Sequence, residues 1–95
     1  MSTIAQVIVT VQGRVQGVGY RAACVDRARL LGLRGWVRNR RDGAVEAYLA
    51  GPEVNVLRMR EWMWEGPDTA QVAHLVVAPG EQEAVPPSFE IRATV

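Results

Sequence analysis

The densest chemical signal in the chain is Gly13-Arg14-Val15-Gln16-Gly17-Val18-Gly19-Tyr20-Arg21. Its three glycines let a backbone curl tightly and come close to a ligand. Successive N–H groups in such a curl can converge on an anion. The segment runs into a helical pattern, and the free N–H groups and dipole of a helix N-terminus favour negative charge. Arg21 falls in the first helical turn, where its fork of donors matches the oxygens of a phosphate. A cation there opposes the helix dipole unless an anion is bound beside it. The candidate phosphate contacts are therefore Arg21 and the stretch Val15, Gln16, Gly17, Val18, Gly19 and Tyr20. Spacing alone leaves a plain tight turn as an equal explanation of the glycines. The segment is not a nucleotide P-loop, because it lacks the Lys-Ser/Thr pair. Its glycine spacing does not fit the dinucleotide fingerprint either.

A second candidate lies downstream. Asn39 offers both a donor and an acceptor, so its amide could hold a water against a bound anion. Taken alone it reads better as a polar strand-end residue that helps the turn. Arg38, Arg40 and Arg41 surround it, either as a solvated charged hairpin or as a lure for an anionic substrate.

Several other chemistries are excluded by what the chain lacks. All eleven basic residues are Arg, so no lysine can form a Schiff base and any anion site must use guanidinium or backbone donors. A GC-rich coding sequence would leave the same Arg bias. Cys24 is the one cysteine, which rules out an internal disulfide and a cysteine zinc cluster. It is expected to pack in a helix core rather than act as a nucleophile. His74, the one histidine, is expected to be a structural or surface residue of a strand. No carboxylate pair flanks the loop, so no dedicated Mg²⁺ site is expected. Trp36, Trp62, Met59 and Met63 read as core, and Trp64 is out of phase and partly exposed.

These residues need a scaffold, and the periodicities describe one. Ile4–Gln12 alternates, with Val7, Val9 and Val11 on one face, and reads as a strand. Tyr20–Leu31 takes a helical period with Cys24, Ala28 and Leu31 on one side, and Gly32 is a plausible cap. Gly35–Asn39 and Ala44–Ala50 read as two strands joined by Arg40-Arg41-Asp42-Gly43, whose Asp-Gly suits a type I′ turn. A second helix starts at Gly51-Pro52-Glu53, buries Val56, Met59, Trp62 and Met63, and ends at Gly66-Pro67. Ala70–Ala78 is a fourth strand, 79–87 a polar loop and Ser88–Ala93 a short last strand. The order βαββαβ plus a short terminal strand is the ferredoxin-like α+β sandwich: an antiparallel sheet with two helices on one face and the other face open.

The two segments together resemble the acylphosphatase family. Gly13–Arg21 is similar to that family's first signature, and Gly35-Trp36-Val37-Arg38-Asn39 with Asp42-Gly43 and Val45-Glu46 to its second. Gly51-Pro52, Trp62, Gly66-Pro67, Ala70 and Val72 extend the match over essentially the whole chain, as does Phe89-Glu90-Ile91-Arg92. The resemblance implies a ferredoxin-like sandwich that hydrolyses acyl phosphates to a carboxylate and inorganic phosphate, without metal or other cofactor. It implies that Arg21 and the loop N–H groups hold the phosphate, and that Asn39 positions the attacking water. Tyr20 stands where the family commonly has Phe. Arg40 stands where it often has a hydroxyl residue, so a hydroxyl contact from that position is absent.

The bulk properties fit this reading. Ninety-five residues suit one domain spanning 1–95, and 48% apolar with 22% charged residues is ordinary globular composition. A net charge of +1 gives no general argument for nucleic acid or a membrane surface. Met1–Gln12 lacks the regions of a signal peptide, and no apolar run approaches a membrane span. A monomer in the cytoplasm, acting on a small molecule, is the expectation. Two other readings fit this fold class. An RNA-binding module would stack bases on sheet aromatics, for which only Tyr48 is expected on the open face. A non-catalytic anion sensor would use the same loop without turnover.

Overall fold

In a computed structural model, described here for residues 3–80 and 84–95, seven elements follow one another: β1 (Ile4–Arg14), α1 (Tyr20–Leu30), β2 (Arg34–Asn39), β3 (Val45–Pro52), α2 (Glu53–Glu65), β4 (Gln71–Pro79) and β5 (Phe89–Ile91). The period-two pattern of the strands puts Val9, Val11, Val37, Val45, Ala47 and Leu49 on one sheet face. They meet Cys24 and Ala28 of α1 and Val56, Met59 and Met63 of α2 in a single core. Each fully buried aliphatic there contributes roughly 1.5–3 kcal/mol. Trp62 is only partly buried, and Trp64 stays 48% exposed, as its phase requires.

The strand order is β4-β1-β3-β2-β5. The first four strands are antiparallel neighbours, as the element order predicts, but β5 runs parallel to β2, with Gly35 opposite Phe89 and Val37 opposite Ile91. The sheet is therefore mixed, not antiparallel throughout. The expectation failed because a three-residue strand carries no record of its direction. β4 brings the chain back to the end of the sheet where β1 and β2 begin, with Pro79 opposite Val7, and β5 sets out from that end alongside β2, its Phe89 buried in the helix-side core.

The second sheet face is not fully open either. Trp36 and Tyr48 stack across β2 and β3 with ring centroids 5.9 Å apart. Ala50, Ile8 and Val85 pack around them. Trp36 shares the face assigned above to Tyr48 alone, and both rings are buried. Of the polar 79–87 loop, residues 81–83 lie outside the described residues.

Two turns differ from or refine the expected ones. Between β2 and β3 the Gly43 N–H donates to the Arg40 carbonyl, and Arg40 N–H to that of Ala44. Only Gly43 has positive φ, at 96°. This is a type I turn followed by a glycine bulge, not type I′, which needs positive φ at both central residues. The Asp42 carboxylate fixes it by accepting the Ala44 N–H at 3.0 Å. At the end of α1, Leu33 N–H reaches back to the Ala28 carbonyl around Gly32, the paired closure of a Schellman motif. No helix among the described residues is long and apolar enough to cross a membrane.

Candidate active site

β1 and β2 both pair antiparallel with β3, so they run the same way and end at the same edge of the sheet. Val11 and Asn39 stand opposite the two sides of Val45. With strands about 4.8 Å apart, Asn39 lies roughly 10 Å from Val11 across the sheet. Alternation puts Asn39 on the face shared by Val37 and Val45, under the helices. The glycine loop that follows β1 rises over that same corner and opens α1.

The loop is built to present its backbone. Gly17 and Gly19 adopt φ of 74° and 81°, which L side chains rarely take. Among the described residues, the backbone N–H groups of Val15 through Gly19 find no acceptor. Gly19 is the N-cap of α1 and makes no side-chain cap. The first-turn N–H groups of Tyr20, Arg21 and Ala22 thus remain available as well. A pocket of about 380 Å³ opens against these groups, lined by Val15, Gly17, Gly19, Tyr20, Arg21, Ala22 and Ile91.

Arg21 lines this pocket, and its guanidinium has no ion pair or hydrogen bond among the described residues. Two arginines of the β2–β3 hairpin are not free in this way. Arg38 pairs with Glu46 at 2.6 Å, and Arg40 bridges Glu46 and Asp42 at 3.3 Å each. The Ala44 N–H, with Arg40 beside it, holds the Asp42 carboxyl below the usual carboxylate range. Arg38 and Arg40 thus satisfy the hairpin's acids, whereas Arg41 and Arg21 have no ion pair among the described residues, and of these two it is Arg21 that lines the pocket.

Asn39 Oδ1 is buried and has no hydrogen-bond partner. A buried amide oxygen without a donor costs about 1–3 kcal/mol. Here it leaves an unused acceptor two residues along β2 from Val37, which pairs with the pocket's Ile91, although Asn39 itself is not among the residues that line the pocket.

The side chains of the loop divide into two sets. Tyr20 points into the core, 1% exposed, and its hydroxyl donates to the Met63 carbonyl at 2.6 Å. Burial pushes that phenol up, out of any acid–base range. Tyr20 can serve a ligand only through its backbone. Val15 is buried too. Gln16 turns away from the pocket toward the hairpin, donating to the Arg40 and Ala44 carbonyls at 2.7 and 2.9 Å. Two contributors have no local sequence signal. Ile91 arrives through the parallel β5, and Thr69 ties the loop by donating to the Val18 carbonyl at 2.6 Å.

The other titratable candidates stay outside the site. Cys24 is fully buried, and burial pushes its thiol up, so it is packing and not a thiolate. His74 is exposed on β4, the edge strand at the far side of β1. Among the described residues no three His, Cys, Asp or Glu side chains gather as a metal-ligand set.

An uncapped helix start, a backbone cradle, an unpaired arginine and a buried amide thus sit on an α+β sandwich of the split βαβ type. Comparison with known proteins narrows this. The family model described as Acylphosphatase matches residues 7–91. A relative named Acylphosphatase 2, from Ralstonia nicotianae, is 73% identical over 95 residues and covers 100% of both chains. The solved acylphosphatase of Coxiella burnetii superimposes with a TM-score of 0.87 at 35% identity, covering 94% of this chain and 93% of that one. That of Bacillus subtilis gives 0.87 at 33% identity, covering 95% and 99%. The chain belongs to the acylphosphatase family.

Proposed function

We propose that the protein hydrolyses acyl phosphates to a carboxylate and inorganic phosphate, with Arg21 and the loop N–H groups holding the phosphate and Asn39 holding the attacking water. One observation carries this: at one corner of the sheet, every polar group such a reaction needs is unpaired. The cradle N–H groups and the Arg21 guanidinium offer positive charge, and Asn39 Oδ1 offers an acceptor for a water O–H.

The chemistry asks for little more. An acyl phosphate is a mixed anhydride whose leaving group is a carboxylate, a weak base that departs without a general acid. Phosphoryl transfer depends mainly on positioning and on neutralising the equatorial oxygens. Arg21 and the cradle would neutralise them, and Asn39 would hold water in line with the bond that breaks. Water attacks phosphorus, the P–O bond to the acyl group breaks, and its electron pair leaves with the carboxylate. Water's proton passes to a phosphate oxygen of the substrate, since no side-chain base faces the pocket. No metal or other cofactor enters this scheme.

The reading extends to a cytoplasmic monomer acting on a small substrate, without nucleic acid or membrane. Its support is a lone, buried cysteine and a core completed within one chain. An RNA-binding role loses its footing, because Trp36 and Tyr48 are buried and present no ring face to a base. The deciding experiment is hydrolysis of benzoyl phosphate by the wild type, Arg21→Ala and Asn39→Ala. Turnover in the wild type that both variants lose supports the assignment. A wild type that binds phosphate without turnover returns the protein to the anion-sensor class, and full activity in Arg21→Ala sinks the site.

A further inference from the structure

The loop and Asn39 belong to different elements, so something must set their separation. We infer that Gln16 does so: its side-chain amide clamps the phosphate loop to the turn that begins one residue after Asn39, and that side chain positions the hydrolysis instead of contacting the phosphate. The inference rests on the function proposed above.

The geometry is specific. Gln16 Nε2 lies 2.7 Å from the Arg40 carbonyl and 2.9 Å from the Ala44 carbonyl. Both partners are acceptors, so the NH₂ end of the amide must face them. Each amide hydrogen has one carbonyl, and neither is left for a bound anion. The same two carbonyls also accept the hydrogen bonds that close the hairpin, from Gly43 N–H and Arg40 N–H. Gln16 thus grips the turn at its closing pair, next to Asn39. Thr69 Oγ1 holds the other side of the loop at the Val18 carbonyl, so the cradle keeps its shape without Gln16. What Gln16 supplies is the side-chain tie, the only one among the described residues, between the cradle and the turn beside the water holder. Methionine has similar length and no donor, and asparagine keeps the donors but is one methylene too short to reach both carbonyls.

The test is benzoyl phosphate turnover and inhibition by inorganic phosphate in Gln16→Met, Gln16→Asn, Asn39→Ala and the double variant Gln16→Met/Asn39→Ala. Misplacement of a reacting group on this scale costs about 10- to 100-fold, so kcat should fall by that much in Gln16→Met and by less in Gln16→Asn. Inhibition by phosphate should be unchanged in both. The double variant should be no slower than Asn39→Ala, because the clamp acts through Asn39. Weakened phosphate inhibition with kcat intact would make Gln16 a ligand and overturn the inference, as would additive losses in the double variant. If Gln16→Met does not fold, Gln16→Asn decides: lower kcat with phosphate inhibition intact supports the clamp, and unchanged kcat refutes it. Failure of the clamp is separable from failure of the function, since the second would show as an inactive wild type.

Discussion

The two helices of the sandwich begin in opposite ways. At the start of α2, Pro52 occupies the cap position, Glu53 places a carboxylate in the first turn, and the Glu53 N–H donates to the Thr3 carbonyl at 2.8 Å. That dipole is answered from within the chain. At the start of α1 there is no acid in the first turn, Gly19 caps without a side chain, and Arg21 adds a like charge to the positive end. A helix that served only as packing would gain from the arrangement at α2. The contrast separates a structural helix start from one whose missing partner comes from solution.

Four substitutions break or sharpen that contrast. The largest effect is expected from Arg21→Ala, which should lower benzoyl phosphate hydrolysis by roughly 1,000-fold, at the upper end for a lost charge-stabilising donor. Its thermal midpoint should hold or rise, since the residue opposes the dipole and has no partner among the described residues. Asn39→Ala should lower kcat by about 100-fold while phosphate still inhibits, because water positioning and anion binding use different groups. Gly19→Ala should destabilise by about 1–3 kcal/mol in urea titration through strain at positive φ alone, since a Cβ at Gly19 meets nothing within 4 Å. Glu53→Gln is the mirror experiment at α2. It should cost about 0.3–1 kcal/mol, less at high salt, with turnover unchanged. Equal losses of turnover in Gly19→Ala and Glu53→Gln would erase the distinction between the two ends.

A fifth substitution addresses the loop's inward side. Tyr20→Phe removes the hydrogen bond to the Met63 carbonyl and should cost about 1 kcal/mol of stability, with kcat retained. Loss of kcat at full stability would return the Tyr20 side chain to the site.

Elements marked by local periodicity were readable from the residues alone: four long strands, two helices and the glycine loop between β1 and α1. Asn39 was readable as a strand-end amide, because the hairpin after it is marked by Asp42-Gly43. What escaped depends on partners distant in the chain. The direction of β5 follows from the end of the sheet at which β4 finishes, where Pro79 pairs with Val7. The cover on the second sheet face follows from Val85 meeting Trp36 and Tyr48. The aim of Gln16 depends on carbonyls in a different hairpin, and the backbone-only role of Tyr20 on the Met63 carbonyl. The turn type was misjudged because Asp-Gly occurs in both hairpin geometries. The Asp42 bond to Ala44 selects the one with a single positive φ.

The strand order β4-β1-β3-β2-β5 has a kinetic consequence. Only β2 and β3 are both consecutive in the chain and adjacent in the sheet. Every other pairing must close a long loop before it gains any contact, which slows folding relative to a chain of successive hairpins. The cradle after β1 and the amide at the tip of β2 reach one another only once β3 has been inserted between their strands. During refolding, recovery of turnover should therefore lag behind recovery of helical circular dichroism.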